Sequence, residues 1–196
     1  MAIWVCGEAL IDKITADGEV REIPGGGPAN TAHALARLDL ASEFIGGLST
    51  DSYGQLMREQ FTASGVGLKF TPTHELPTCT ANVTIASDGS ASYIFIIDNT
   101  ATFAYDEKHL PSIEEELAKE EVDAIYFGTL AAIVEPGASV LFNWMKLAAG
   151  KVPIFFDPNI RPTVLGDREK YQASVARFLQ IADVVKASSD DIGWLY

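Results

Sequence analysis

The chain has 196 residues, with 27 acidic against 14 basic side chains and a formal net charge of −13. A surface this acidic repels nucleic-acid backbones and anionic lipid, so neither is expected as a partner, and an anionic substrate needs its own cationic pocket. Hydrophobic residues make up 47% of the chain, too many for wholesale disorder and enough for a packed core.

The continuous apolar run Ile3-Trp4-Val5-Cys6 ends at Gly7-Glu8 and predicts a buried strand. Met1–Leu10 has no basic n-region and no long apolar stretch, and no segment approaches transmembrane length, so a cytoplasmic protein without a signal peptide is expected. Lys13–Ile23 reads as a hairpin turning at Asp17-Gly18. Pro24-Gly25-Gly26-Gly27-Pro28-Ala29-Asn30 then opens an alanine-rich helix predicted from Pro28 to about Leu40, with Ala29, Ala32, Leu35, Ala36 and Leu40 near one face. Three consecutive glycines permit backbone approaches that a Cβ blocks, and Pro28 suits a first helical turn. The helix start turns free amides and a positive dipole end outward, and Asn30 adds a donor and an acceptor. Such a start suits a hydroxylated ligand, although on the glycines alone a tight strand-to-helix loop is the simpler reading.

Ser42–Gly47 predicts the next strand, and Asp51 precedes a helix over Tyr53–Ser64 that stops at Gly65. Thr78–Ser87 and Ala91–Ile97, rich in Thr, Val, Ile, Tyr and Phe, predict a second hairpin around Asp88-Gly89. The acidic cluster Glu114-Glu115-Glu116 with Glu120-Glu121 reads as a solvated helix face and not a metal site. Strands at Ala124–Phe127, Pro153–Asp157 and Val184–Lys186 then alternate with helices at Pro136–Ala149 and Lys170–Ala182. This rhythm predicts a mostly parallel sheet with helices on both faces, accompanied by a small β layer made of the hairpins. Ligands bind such sheets beyond the carboxyl ends of the strands, which directs attention to Glu8, Gly128, Asp157 and Lys186. Asp190–Tyr196 resembles the first two turns of a further helix, so the chain is expected to be a piece of a longer domain.

Cys6 and Cys79 lie in strand-like runs without CxxC or Cys/His spacing and are expected to be reduced thiols. No GxxxxGK[ST] loop is present, no GxGxxG follows the first strand, and there is no GxSxG elbow. His33, His74 and His109 show no metal-ligand spacing and read as surface or packing residues.

Four segments carry a resemblance: Gly7-Glu8-Ala9-Leu10-Ile11-Asp12, Pro24–Asn30, Gly46-Gly47 through Asp51-Ser52-Tyr53-Gly54, and Phe156-Asp157-Pro158-Asn159-Ile160-Arg161-Pro162. In this order and spacing they resemble the ribokinase-like, phosphofructokinase-B-type carbohydrate kinases, most closely the fructokinase branch, over the whole chain. The resemblance implies a Rossmann-like α/β body with a β-hairpin lid at about 12–23 and 77–98. Residues 1–196 are then the N-terminal two-thirds of one kinase domain. It implies transfer of the ATP γ-phosphoryl group, with Mg2+, to a hydroxyl of fructose or a related ketose. Asp12, Gly25, Gly26 and Asn30 would hold the sugar, a carboxylate acceptor being worth about 1.5–3 kcal/mol per hydrogen bond. Phe95 would close over the sugar and exclude water, and ordinary sheet packing explains it equally well. Arg161 would stabilise phosphoryl charge, with Asp157 and Asn159 in the same loop orienting it or touching the ligands.

Where the family carries Asn-x-x-Glu for magnesium and phosphate, this chain has Ser188-Ser189-Asp190-Asp191. Hydroxyl and carboxylate still suit a hard cation, and Ser188 equally suits a helix N-cap. Lys186 would reach a phosphate, and no residue is assigned as a direct metal ligand. The family's Gly-Ala-Gly-Asp motif, source of the general base, does not occur. These residues alone are therefore expected to give negligible turnover. A non-catalytic sugar-binding remnant is the alternative. An NAD-dependent Rossmann enzyme is disfavoured because the glycine loop follows a hairpin and not the first strand. A homodimer through the unpaired edges of the lid is a further expectation.

Overall fold

The computed structural model describes residues 2–16, 18–85, 91–119 and 121–196. In chain order the elements are β1 (Ala2–Cys6), β2 (Leu10–Ala16), β3 (Glu19–Gly25), α1 (Gly27–Arg37), β4 (Ser42–Ile45), β5 (Leu48–Ser49), α2 (Ser52–Ala63), β6 (Thr73–His74), β7 (Thr80–Ile85) and β8 (Ala91–Ile96). There follow α3 (Ile113–Ala118), β9 (Val122–Gly128), α4 (Gly137–Lys146), β10 (Ile154–Asp157), α5 (Arg168–Leu179), β11 (Val184–Val185) and α6 (Ser189–Leu195).

Among the described residues the central sheet has the order β11-β10-β9-β1-β4, and every pairing in it is parallel. From β1 the chain runs outward to β4 on one side, then returns to place β9, β10 and β11 on the other. The strand order therefore reverses between β1 and β9, and a crevice opens beyond the carboxyl ends of these two strands.

Side chains alternate across β1, which fixes the two faces of the sheet. Val5 packs with Ala29, Ala32, Phe44, Met57 and Phe61 under α1 and α2. Trp4 and Cys6 face the opposite cluster beneath α4 and α5. There Trp4 stacks on Trp144 at 5.8 Å, and the Trp144 indole N–H donates to Pro111 O at 2.7 Å, so the buried ring keeps its polar edge satisfied. Phe127 and Phe156 on neighbouring strands stack at 4.3 Å, with Phe178 of α5 packed against both.

Both expected hairpins form, β2–β3 and β7–β8. They also join edge to edge, because β2 pairs with β7 in parallel, giving one sheet of order β3-β2-β7-β8. Of the turn residues assigned from sequence, Asp17, Asp88 and Gly89 lie outside the described residues, as does Glu120.

Helix α2 is capped as expected: the Asp51 carboxylate accepts from Gly54 N–H at 2.8 Å, and Gly65 takes a left-handed φ of +81°. Several boundaries differ from the sequence reading. Helix α1 stops at Arg37, Asp39 turns at φ +58°, and Leu40 is left exposed instead of extending the buried face. Strand β4 ends at Ile45, and the chain leaves the central sheet at Gly46-Gly47 to form β5 against β6. The acidic cluster is not uniformly solvated: Glu116 is 5% exposed and accepts ion pairs from Lys69 and Lys119 at 3.2 and 2.9 Å. The pairing with Lys69 spans 47 positions of sequence, which a composition argument does not register. Cys6 and Cys79 are free buried thiols, and His33 stacks on Phe61 at 4.7 Å as a packing residue. No helix among the described residues is long and apolar enough to cross a membrane.

Candidate functional site

The crevice between β1 and β9 is roofed by the hairpin sheet, because only Gly7-Glu8-Ala9 separates β1 from β2. Cross-strand register aligns Ile23, Asp12, Ala81 and Phe95 in one row. Residues in register share a sheet face, so Asp12 and Phe95 face the same way across two strand spacings, about 10 Å. Phe95 stacks on Tyr93 and is partly buried against the core, so it serves packing as well as facing the crevice.

Asp12 is half-buried. Burial pushes its carboxyl above the ordinary range, and the charge of Arg161, 149 positions later in the chain, pulls it back down. The carboxylate lies over Gly25: a Cβ there would collide with Asp12 Oδ2 and lie 3.2 Å from Cγ. Gly26, the N-cap of α1, has φ +106°, and a Cβ would sit 2.5 Å from Glu8 O. The second glycine is thus required by backbone conformation, the first by the carboxylate opposite. Asn30 projects from the first turn of α1, exposed, into a groove of about 860 Å³ shared with Pro24, Gly25, His33 and Arg37. Gly25 is common to this groove and to the Asp12 contact.

The loop after β10 closes the far side. Asn159 adopts φ +35°, a conformation asparagine tolerates better than most residues, and its Nδ2 reaches Thr129 Oγ1 at 3.4 Å. The Arg161 guanidinium donates to Asn159 O and Ile160 O at 3.2 and 3.0 Å, and Arg161 N–H is accepted by the Tyr171 hydroxyl at 2.9 Å. Arg161 is partly exposed, fixed through backbone carbonyls, with its charge felt by both Asp12 and Asp191. Asp157 is 8% exposed; its Oδ2 pairs with Lys186 Nζ at 3.0 Å and its Oδ1 has no partner among the described residues.

Ser188 and Asp191 are occupied with each other. Ser188 caps α6, the Asp191 amide donates to its hydroxyl at 3.1 Å, and the Asp191 carboxylate accepts from Ser188 N–H and Oγ–H at 2.8 Å each. The remaining oxygen of Asp191 accepts from Ile160 N–H at 2.7 Å. Burial opposes ionisation of Asp191, but these bonds and Arg161 outweigh it and hold the carboxyl below the usual range.

The structure thus brings Asp12, Gly25, Gly26 and Arg161 to one crevice, with Phe95 on its roof, whereas Asn30 lines the neighbouring groove between α1 and α2. Lys186 stands apart as the partner of Asp157. Glu8, singled out by sequence as a strand end but given no specific role, and Thr129, which sequence did not single out, lie at the bottom of the crevice, 2% and 3% exposed. The available signal was a carboxylate placed directly after an apolar strand.

A fructokinase of Rhizobium leguminosarum bv. trifolii is 32% identical over 197 residues, covering 98% of this chain and 59% of that protein. The Escherichia coli fructokinase is 31% identical over 194 residues, covering 96% and 61%. Among solved structures, Xylella fastidiosa fructokinase with bound ATP superposes with a TM-score of 0.86 at 27% identity, over 99% of this chain and 63% of that one. Vibrio cholerae O395 fructokinase with fructose, ADP and calcium gives 0.82 at 26%, over 99% and 62%. The chain therefore spans about three fifths of the length of these relatives, and its fold is ribokinase-like. A family profile described as pfkB family carbohydrate kinase matches residues 5–196, and the chain belongs to that family.

Proposed function

We propose that these residues form the sugar-holding part of an ATP-dependent kinase that phosphorylates a hydroxyl of fructose or a related ketose. The observation that carries this reading is the meeting of Asp12 from the roof, Gly25 and Gly26 from the α1 start, and Arg161 from the β10 loop. Relatives described as fructokinases, one of them with fructose and ADP bound, supply the substrate class.

The Asp12 carboxylate accepts hydrogen bonds from two sugar hydroxyls and sets the orientation of the ring, while Asn30 donates and accepts from the neighbouring groove. The α1 amides and Arg161 place positive charge on the side where the phosphoryl group arrives, in a crevice from which Phe95 excludes water. Arg161 is suited to this because its guanidinium is already ordered by two carbonyls and needs little rearrangement. Positioning and electrostatics of this kind are the main contributions a protein makes to phosphoryl transfer.

Magnesium fits the donor set at one place better than another. Both carboxylate oxygens of Asp191 are engaged within the chain, whereas Asp157 Oδ1 is buried without a partner among the described residues, a hard oxygen at the end of β10, just before the loop that carries Arg161. Asp157 would hold the ion or its water shell, and the ion would supply positive charge to the ATP phosphates.

Titration calorimetry with fructose tests the reading on the protein and on Asp12→Asn. Wild type is expected to bind, and the variant to lose at least about tenfold in affinity, the lower end for one charge-assisted hydrogen bond. Equal affinity for both would overturn it. Incubating residues 1–196 with ATP, magnesium and fructose is expected to yield negligible ADP, and ordinary turnover would remove the inference that a base outside these residues is needed.

A further inference from the structure

Glu8 takes no part in the steps above, yet it occupies the centre of the crevice floor. Leu130 N–H donates to its Oε2 at 3.1 Å across 122 positions of sequence, and the amides of Thr129 and Ala131 also face it. Leu130–Ala132 is a short 3-10 turn whose own leading residue, Thr129, gives no side-chain cap. The carboxylate of Glu8 therefore does from a distance what an N-cap does locally. Its Oε1 lies beside the start of α1, 3.9 Å from where a Gly27 Cβ would stand. The same point is 3.2 Å from Thr129 Oγ1 and 3.5 Å from Asn159 Nδ2. One buried carboxylate thus sits where the ends of β1, β9 and β10 meet the first turn of α1.

No lysine or arginine pairs with Glu8 among the described residues. The titratable groups that feel its charge are Cys79 ahead of β7, Tyr105 in the segment before α3, Tyr126 of β9 and Tyr171 of α5. Burial pushes each of these up, so all remain protonated and neutral near neutrality. The charge of Glu8 is thus balanced by peptide dipoles alone. Burial pushes its carboxyl up to about 7, opposed first by its own backbone amide and then by the amides of residues 129–131.

We propose that Glu8 is a positioning residue and a proton-responsive brace. Ionised, it draws the 129–132 turn against the α1 start and holds Gly27, Thr129 and Asn159 in register at the crevice floor. Protonated, it releases them. The consequence for sugar affinity rests on the sugar-pocket reading above; the brace itself does not.

The test follows the backbone amide resonances of Gly27, Thr129, Leu130 and Asn159 in wild type and Glu8→Gln. The range is about pH 5.5 to about pH 8.5, either side of the value near 7. Fructose affinity is measured by calorimetry at the two ends. In wild type the four amides are expected to titrate together with one midpoint near neutrality, and in Glu8→Gln this titration is expected to vanish. Fructose affinity should weaken about tenfold toward acid in wild type and stay flat in the variant. Amides that still titrate in Glu8→Gln, a wild type in which none titrates, or movement confined to Leu130 would overturn the brace. An intact linked titration with pH-independent fructose affinity would overturn its role in the pocket. The same titration in a wild type that binds no fructose would support the brace and sink the sugar reading instead. If Glu8→Gln does not fold, Glu8→Asp, one methylene short of the turn, is expected to displace the midpoint, and an unchanged midpoint counts against the proposal.

Discussion

Replacing Gly25 by alanine separates a binding role from a folding role at this site. The added methyl meets Asp12 Oδ2 at closer than van der Waals contact and lies 3.2 Å from Asp12 Cγ. It meets little else, the next atom being Leu10 Cδ1 at 3.7 Å. The atom that must yield is the far end of a side chain, so the backbone can stay in place and Asp12 swings to another rotamer. Gly25 is not in the left-handed region that would penalise alanine, and the substitution also lowers the entropy of the unfolded chain, so thermal stability should be kept or rise slightly. Sugar affinity should fall, because a displaced carboxylate forfeits at least one charge-assisted hydrogen bond of about 1.5–3 kcal/mol, roughly tenfold to a hundredfold in Kd. Fructose calorimetry paired with thermal melts on wild type, Gly25→Ala, Asp12→Asn and the double variant reads both quantities. The double variant should bind no worse than the weaker single one, since both changes act through the same carboxylate. Wild-type affinity in Gly25→Ala, or simple additivity in the double variant, would refute the reasoning.

Gly26→Ala should behave in the opposite way: φ +106° and a clash with Glu8 O are backbone problems, so urea denaturation should show a loss of about 1–3 kcal/mol. Glu8→Gln should become more stable relative to wild type as pH rises. The folded carboxyl of wild type titrates near 7 against 4.5 for the free group, so its contribution is fully present below 4.5 and is lost as pH climbs through 7. The difference between the two proteins should therefore change by up to about 3 kcal/mol across that window and then level off, and parallel stability curves would contradict it. Asp191→Ala should cost about 2–3 kcal/mol in denaturant titration, because it removes the α6 capping box and leaves the Ile160 N–H without its acceptor.

The alternation of apolar strands and amphipathic helices made the parallel body legible, since period and turn chemistry are local properties. Asp51, Gly65 and the start of α1 were readable for the same reason. What sequence did not disclose is pairing between distant segments. The parallel β2–β7 contact joins two hairpins that each looked self-contained, and it places Asp12 in the same row as Phe95. The ion pair of Glu116 is made with Lys69, 47 positions away, and the role of Glu8 depends on a turn 122 positions away. In each case the partner is chosen by topology, and no periodicity within either segment points to it.

The phosphate side shows a different limit. Ser188 and Asp191 stand three apart, the spacing of a capping box and also the spacing of the family's Asn-x-x-Glu, so local chemistry could not separate a ligand site from a helix start. The structure shows that spacing used as a cap, and it adds the bond from Ile160 N–H to Asp191, which ties α6 to the loop that carries Arg161. Arg161 is oriented by carbonyls of that same loop, so the cap of α6 contributes to where the guanidinium points. Asp157 Oδ1, at the end of β10, is a buried acceptor without a partner among the described residues. On the proposed reading a cation would be held at the strand end and not at the helix cap, with Asp191 acting on the site through the backbone position of Ile160 and through the charge it shares with Arg161.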